Sequence, residues 1–208
     1  AIHDSALSVN YNLTDNAESW IAVQHGILKI SPEEFNSLWS LAPSQRPKGM
    51  IFNNPVIFPR KTAAFGRDYT FTGQTSKSSS IDQAPGYTHY AEWMSNANLN
   101  GVLVNWYDAS EGDYIGLHSD DEKQLCDNSP IISITWTSTD THFRRFRLKP
   151  KNSAGLFPSF GEGPGIISLQ NGDALVMGGT CQKTHKHEIM KPRKSLSLIH
   201  ISEPTRRK

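Results

Sequence analysis

The apolar and polar positions of this chain alternate in short extended segments more often than they fall at helical spacing. Gly101-Val102-Leu103-Val104-Asn105-Trp106-Tyr107 and Pro130-Ile131-Ile132-Ser133-Ile134-Thr135-Trp136-Thr137 are dense in branched and aromatic residues, which predicts buried strands. Residues 144–149 run with period two. Phe146 and Leu148 share one face, and Arg145, Arg147 and Lys149 share the other. Ile166-Ile167-Ser168-Leu169 and Ala174-Leu175-Val176-Met177 flank Gln170-Asn171-Gly172-Asp173, and the Asn-Gly pair is a strong hairpin signal. Helical spacing occurs twice. Ser31-Pro32-Glu33-Glu34 reads as a capped helix start, and the apolar stripe of Phe35, Leu38, Trp39 and Leu41 carries the helix to about Ala42. Tyr90, Trp93, Met94 and Leu99 predict a second, short amphipathic helix.

Between these elements, residues 44–48 and 151–164 read as loops, and the Ser-rich residues 74–86 as a mobile one. Near the start, Trp20-Ile21-Ala22-Val23 and Ile27-Leu28-Lys29-Ile30 read as an N-terminal extension or as edge strands. Many short strands separated by Gly, Pro and Asn turns make the chain mainly β, a sandwich or barrel with a few helices (α+β).

Length and charge narrow the picture. At 208 residues the chain suffices for one domain with a sizeable core. A net charge of +1 gives no global basic field, so any nucleic-acid contact must be local. The strip of Arg145, Arg147 and Lys149 offers such a patch, as a phosphate-binding rim or as a solvated edge. Two cysteines are too few for a disulfide framework and fit a reducing, intracellular compartment, cytoplasmic or nuclear. No apolar run approaches a membrane span and no signal-peptide pattern opens the chain, so no membrane association is expected, and the protein is read as a monomer.

Candidate chemistry concentrates in residues 105–133. His118 and Asp120 stand two apart at the end of the strand-like run Tyr114-Ile115-Gly116-Leu117, so imidazole and carboxylate face one side. His185 or His187, which share a strand face with each other, can supply a third ligand. Two histidines and one carboxylate on one face of an octahedral metal suit non-haem Fe(II) oxygen chemistry. Asn105 and Tyr107 share a face of the preceding strand, and an amide with a phenol can bind carboxylate oxygens without adding charge. Between residues 54 and 73, Arg60, Lys61 and Arg67 can meet phosphates, and aromatic faces such as that of Tyr69 suit an unstacked base.

The order of motifs, Asn-x-Tyr, Ile-Gly-x-His-Ser-Asp-Asp-Glu, Ser-Pro-Ile-Ile-Ser-Ile, Arg-x-Phe-x-Leu, Gly-Asp-Ala-Leu-Val-Met-x-Gly and Gln-x-x-x-x-His-Glu-Ile, resembles the AlkB family of Fe(II)- and 2-oxoglutarate-dependent dioxygenases, over about residues 59–191. The resemblance implies a double-stranded β-helix (jelly roll) with helices packed outside. It implies Fe(II) on His118, Asp120 and His187, because the family's ligand follows a Gln by five positions, as His187 follows Gln182. It implies 2-oxoglutarate on Asn105 and Tyr107, and a nucleotide-recognition segment around Arg60 and Tyr69. Glu122 would reach the substrate base, and Arg145 the backbone of an alkylated DNA or RNA strand, single-stranded or with its base flipped out. The implied activity is oxidative demethylation of an N-alkylated nucleobase. A hydroxylase of protein side chains and a catalytically silent nucleic-acid-binding module are the alternatives.

The chain departs from the family after His187. The strand that carries two arginines for 2-oxoglutarate is missing, since Arg193-Lys194-Ser195 follows too soon. The run LSLIHISEPTR at 196–206 resembles the conceptual translation of a sequencing adapter. The expected organisation is therefore residues 1–50 as an N-terminal extension with a helix, 51–195 as an incomplete dioxygenase domain and 196–208 as an artefactual tail. Weak binding of 2-oxoglutarate and slow or absent turnover are the corresponding expectation.

Overall fold

The computed structural model describes residues 8–71, 74–120, 125–159, 162–192 and 198–204. Strands β1 (Ser8–Asn12) and β2 (Ser19–Gln24) come first, then helix α1 (Pro32–Ser40). Next are β3 (Lys48–Ile51), β4 (Asn54–Ile57), β5 (Lys61–Phe65), β6 (Tyr69–Phe71), β7 (Gln74–Ser76) and β8 (Ser78–Ser79). Helix α2 (Tyr87–Asn96) leads into β9 (Val102–Tyr107), β10 (Ile115–His118), β11 (Ile131–Thr137), β12 (Arg144–Pro150), β13 (Ile166–Leu169) and β14 (Asp173–Gly179). The short α3 (Cys181–Thr184), β15 (His185–Ile189) and β16 (Leu198–Pro204) complete the order.

Two sheets face each other. The larger runs β1-β2-β14-β11-β16-β9-β5-β8, and the smaller β10-β15-β12-β13. Parity along the strands decides what lies where. Ile132, Ile134 and Trp136 of β11, with Val102, Val104 and Trp106 of β9, point away from the small sheet and pack with Phe35 and Leu38 of α1 and Tyr90 and Met94 of α2. The alternate residues, Ile131 and Tyr107 among them, face inward and meet Phe146, Leu148 and Ile189 of the small sheet. The large sheet is thus covered on both faces, which is why its strands read as continuous apolar runs. Ser31 caps α1, its hydroxyl accepting the Glu34 N–H at 3.1 Å, with Pro32 at the first turn. At the Asn171-Gly172 turn, Gly172 has φ +80°, and a Cβ there would stand 2.4 Å from the Lys29 backbone nitrogen.

Four sequence expectations change. Leu41 lies past the end of α1 and is exposed, so the apolar stripe stops at Trp39. Residues 74–86 carry β7, β8 and a short 3₁₀ turn, Ile81–Gln83, instead of an unstructured loop. Asp68 organises this stretch, accepting from the Ser78 N–H at 2.9 Å and from Lys77 at 2.7 Å. Residues 19–24 of the N-terminal extension form β2, which pairs with β14 inside the large sheet, leaving β1 at the edge. Finally, residues 198–204, read as part of an artefactual tail, form a strand without arginine. Leu198–Pro204 lies between β11 and β9, pairing with both. Its alternation suits the slot: Ile199 and Ile201 are fully buried on the helix-covered face, and His200 points inward.

Candidate metal centre

The small sheet brings the three proposed ligands together. β10 and β15 pair antiparallel with His118 directly opposite His187, after an irregularity in register between Ile115 and His118. Their ring centroids are 4.3 Å apart. Asp120 follows β10 by two residues and spans the pair, with Oδ1 3.5 Å from His118 Nε2 and Oδ2 3.3 Å from His187 Nε2. One ligand atom from each of the three residues falls within 4.8 Å of the others.

The surroundings fix orientation and charge. His118 Nδ1 lies 2.8 Å from the Gly116 carbonyl, an acceptor only, so Nδ1 carries the proton and Nε2 offers its lone pair inward. Burial pushes the His118 pKa down to about 4, with the neighbouring His187 acting in the same direction, so the ring is neutral near pH 7. Burial opposes ionisation of Asp120, but His187 and His118 outweigh it and hold the carboxyl well below the usual range. A neutral imidazole and an ionised carboxylate are the protonation states that ligate a divalent cation. Asp120 is steadied from behind: its N–H donates to Gln182 Oε1 at 3.0 Å, and the Ser119 hydroxyl donates to the His185 carbonyl at 2.9 Å.

His185 stands apart from the cluster. Its Nε2 lies 2.9 Å from the Leu156 carbonyl and its Nδ1 2.8 Å from Thr184 Oγ1, so the pairing with β10 selects His187.

The large sheet builds the opposite wall of the same cavity through Asn105, Tyr107 and His200, joined by Arg60, just before β5, and by Tyr69 of the separate β6-β7 hairpin. Tyr107 is buried, and burial pushes its pKa up to about 12, so the phenol keeps its proton. Asn105 Oδ1 accepts from Arg60 Nε at 3.1 Å and from the Thr62 hydroxyl at 2.8 Å, which leaves the amide NH₂ as a donor. Arg60, expected against a phosphate, is only 4% exposed and belongs to the cavity wall. His200 Nδ1 lies 3.1 Å from Thr135 Oγ1, and burial pushes its pKa down to about 3. Tyr69 is half-buried at the cavity. Arg145 sits half-buried on β12, and Glu122 lies outside the described residues.

Sequence reasoning missed Gln182 as a support for Asp120, because it served there only as a spacing marker. It also missed Arg144. This residue shares the inner face of β12 with Phe146 and Leu148, is 2% exposed, and donates to the carbonyls of Asp113 and Met190 while lying 5.9 Å over the Tyr107 ring. Its parity with Phe146 was the available signal.

Residues 56–207 match the family model described as the 2OG-Fe(II) oxygenase superfamily. Among curated proteins, the chain is 32% identical over 157 residues to the DNA oxidative demethylase ALKBH2 of Homo sapiens, covering 73% of this chain and 58% of that protein. It is 30% identical to the protein of the same name from Bos taurus over 167 residues, covering 76% and 58%. The chain thus spans less than two thirds of the length of these relatives. Among solved structures, OsALKBH1 superposes with TM-score 0.60 at 12% identity, over 89% of this chain and 96% of that one. A 2OG-Fe(II) oxygenase family oxidoreductase from Burkholderia pseudomallei gives 0.50 at 11% identity, over 90% and 86%. At such identities the structural likeness speaks for the jelly-roll fold alone.

Proposed function

Because the chain belongs to the 2OG-Fe(II) oxygenase superfamily, we propose that it catalyses oxidative demethylation of an N-methylated base in DNA, with Fe(II) held by His118, Asp120 and His187. The observation that carries this reading is the convergence of those three side chains beside Asn105 and Tyr107 in one cavity. The donor set fits the metal: two imidazoles and one carboxylate on one side, with the other side open to the cavity. Bound Fe(II), with 2-oxoglutarate and O₂, supplies the oxidation of a C–H bond of the methyl group. Overall, the N-methyl base, O₂ and 2-oxoglutarate give the free N–H base, formaldehyde, succinate and CO₂.

The chain's own residues bind, orient and exclude water. The Tyr107 phenol and the Asn105 amide donate to oxygens of the organic acid without adding charge. Phe146, its ring 5.7 Å from that of His187, and Ile189, both buried, keep that side of the metal site apolar. The apolar wall protects a reactive centre from bulk water. Tyr69 is placed to meet a base at the opening.

The DNA substrate is read from two features. The hairpin of β3 and β4 carries Met50, Ile51, Phe52 and Ile57, all exposed, with Phe52 94% exposed at the tip. Apolar side chains presented this way suit insertion between bases, which frees a base to leave the stack. The outer face of β12 and β15 carries Arg145, Lys149 and Lys186, the last two directly opposite each other, and suits phosphates. ALKBH2 of Homo sapiens, at 32% identity, is a DNA oxidative demethylase, which favours DNA over RNA for this chain.

The test incubates the protein with Fe(II), 2-oxoglutarate, air and a single-stranded oligodeoxynucleotide bearing one N-methylated adenine. Formaldehyde and succinate should appear in equal amounts, and only with the methylated strand. Succinate without formaldehyde from any methylated DNA or RNA, together with oxygen incorporation into a peptide, would replace this reading with the side-chain hydroxylase.

A further inference from the structure

We propose that Arg46 and Asp113 form a positioning pair that sets the angle of the β3-β4 hairpin over the cavity, and that this pair governs engagement of duplex DNA without governing binding of a single strand. The inference rests on the reading of the hairpin as a wedge between bases. A wedge opens a stack only if its root resists the push.

The hairpin has little hold of its own. β3 and β4 form a two-stranded sheet that joins neither of the larger ones, and a lone hairpin is marginal in water. Of its strand residues, only Gly49 is buried. Among the described residues, no hydrogen bond or ion pair leaves residues 48–57 for the rest of the chain, and the Asn54 amide bonds back to the Phe52 carbonyl within the turn.

Its two ends are instead fastened to one place. At the entry, Arg46 donates to Asp113 Oδ1 at 2.5 Å; at the exit, the Tyr114 N–H donates to the Pro59 carbonyl at 3.0 Å. The Phe58 N–H closes the root by donating to the Pro47 carbonyl at 2.9 Å. Residues 113 and 114 belong to the turn between β9, which carries Asn105 and Tyr107, and β10, which carries His118. That turn is itself held. Asp113 is 1% exposed, its Oδ2 accepts the Asp108 N–H at 2.9 Å, and its carbonyl accepts from Arg144. The hairpin is thus mounted on the rim of the proposed metal site. One fastening leaves a hinge, and the charge-assisted bond of Arg46 at the other end removes the rotation.

The angle matters because the hairpin root bounds a hollow of about 120 Å³, with Pro47, Lys48 and Phe58 on one side and Thr75 and Ser76 of β7 on the other. Arg60 and Tyr69 line both this hollow and the metal cavity, so the two adjoin. A tilt of the hairpin changes the approach to the metal.

The experiment uses the Mn(II)-loaded protein, which does not turn over, with a duplex carrying 2-aminopurine beside one N-methylated adenine, and with the same strand alone. 2-Aminopurine brightens as its neighbour leaves the stack. Wild type should brighten the duplex, and Phe52→Ala should not. Arg46→Leu should bind the duplex about tenfold more weakly, the scale of ordering a loosened element on binding, with single-strand affinity unchanged. Arg46→Lys keeps the charge and a donor and should restore most of the loss, and a lysine variant as weak as the leucine one would count against the ion pair. Unchanged duplex binding in Arg46→Leu overturns the proposal and leaves the wedge standing, as does equal weakening of duplex and single strand. A Phe52→Ala protein that brightens the duplex like wild type, or a wild type that does not brighten it, overturns the wedge reading and the proposal together. Should Arg46→Leu fail to fold, Arg46→Gln, which keeps a neutral donor for Asp113, is judged by the same two outcomes.

Discussion

The two sheets differ in how their sequence is used, and the difference separates folding from chemistry. All seven residues of β11 in the large sheet are buried, whereas no residue of β10 in the small sheet is fully buried. All three proposed metal ligands nevertheless belong to the small sheet or to the turn leaving it, while Asn105 and Tyr107 come from the large one. The proposed metal site thus rests on the smaller sheet, with His118 on its edge strand and His187 on β15 beside it. The proposed acid-binding wall belongs to the sheet that is covered on both faces. A wall packed from behind by an apolar core is preorganised for a fixed geometry.

This division predicts that the two functions of the sheets can be broken one at a time. Trp136→Ala in β11 removes a fully buried indole that packs near Tyr90 and donates to the Leu28 carbonyl, and should cost about 3–5 kcal/mol of stability. Asp120→Ala should instead cost the apo protein less than Trp136→Ala does, since it loses only the contacts with His118 and His187, while metal affinity falls by more than the roughly 100-fold that loss of a supporting residue can cost. Wild type at 100 times the Kd of Mn(II) should gain about 2.7 kcal/mol, a gain absent from Asp120→Ala. Denaturant titrations with and without Mn(II) read both effects. Equal destabilisation of the two apo variants would mean that the sheets are not specialised as described.

Much of this was legible in the sequence. The density of branched and aromatic residues along 102–107 and 131–137 placed the strands, and the Asn171-Gly172 turn placed the β13 and β14 pair. His118 and Asp120 were legible because a strand repeats every two residues, a local rule. The identity of the third ligand was not local: His185 and His187 have the same parity, and only the register of β15 against β10 separates them. Arg60 and Arg144 were misjudged or missed for a related reason. A charge is read as solvent-facing by default, and only the tertiary contacts with Asn105 and with the Asp113 and Met190 carbonyls show otherwise. β16 was unread because its residues looked foreign to the domain, yet the slot between β11 and β9 requires little beyond alternating branched residues.

A smaller effect sharpens the same contrast within the acid-binding wall. Tyr107→Phe keeps the ring against the core and removes only the hydroxyl, so 2-oxoglutarate affinity should fall about tenfold, the scale of one hydrogen bond to a charged group. Because the Tyr107 pKa is raised to about 12 against an ordinary value near 10, its contribution to stability is complete below pH 10 and lost as pH rises toward 12. Alkaline unfolding of wild type should therefore begin at lower pH than that of Tyr107→Phe, provided that the variant is matched in neutral-pH stability. Identical alkaline limbs in the two proteins would place the phenol in contact with water.

The least effect is expected on the outer face of the small sheet, where two neighbouring arginines are predicted to behave differently. Arg147 is ion-paired with Glu188, whose residue is nearly buried, so replacing it with alanine strands a carboxylate and should show as lost stability. Arg145 points the same way two residues earlier, opposite Ser168 of β13. If it meets a phosphate, Arg145→Ala should lower the dependence of log affinity on log salt by about 0.7 for single-stranded DNA, with little change in stability or in preference among sequences. Fluorescence anisotropy across a salt series measures that slope. An unaltered slope for Arg145→Ala, beside a reduced one for Lys149→Ala, would move the DNA path toward the far end of β12.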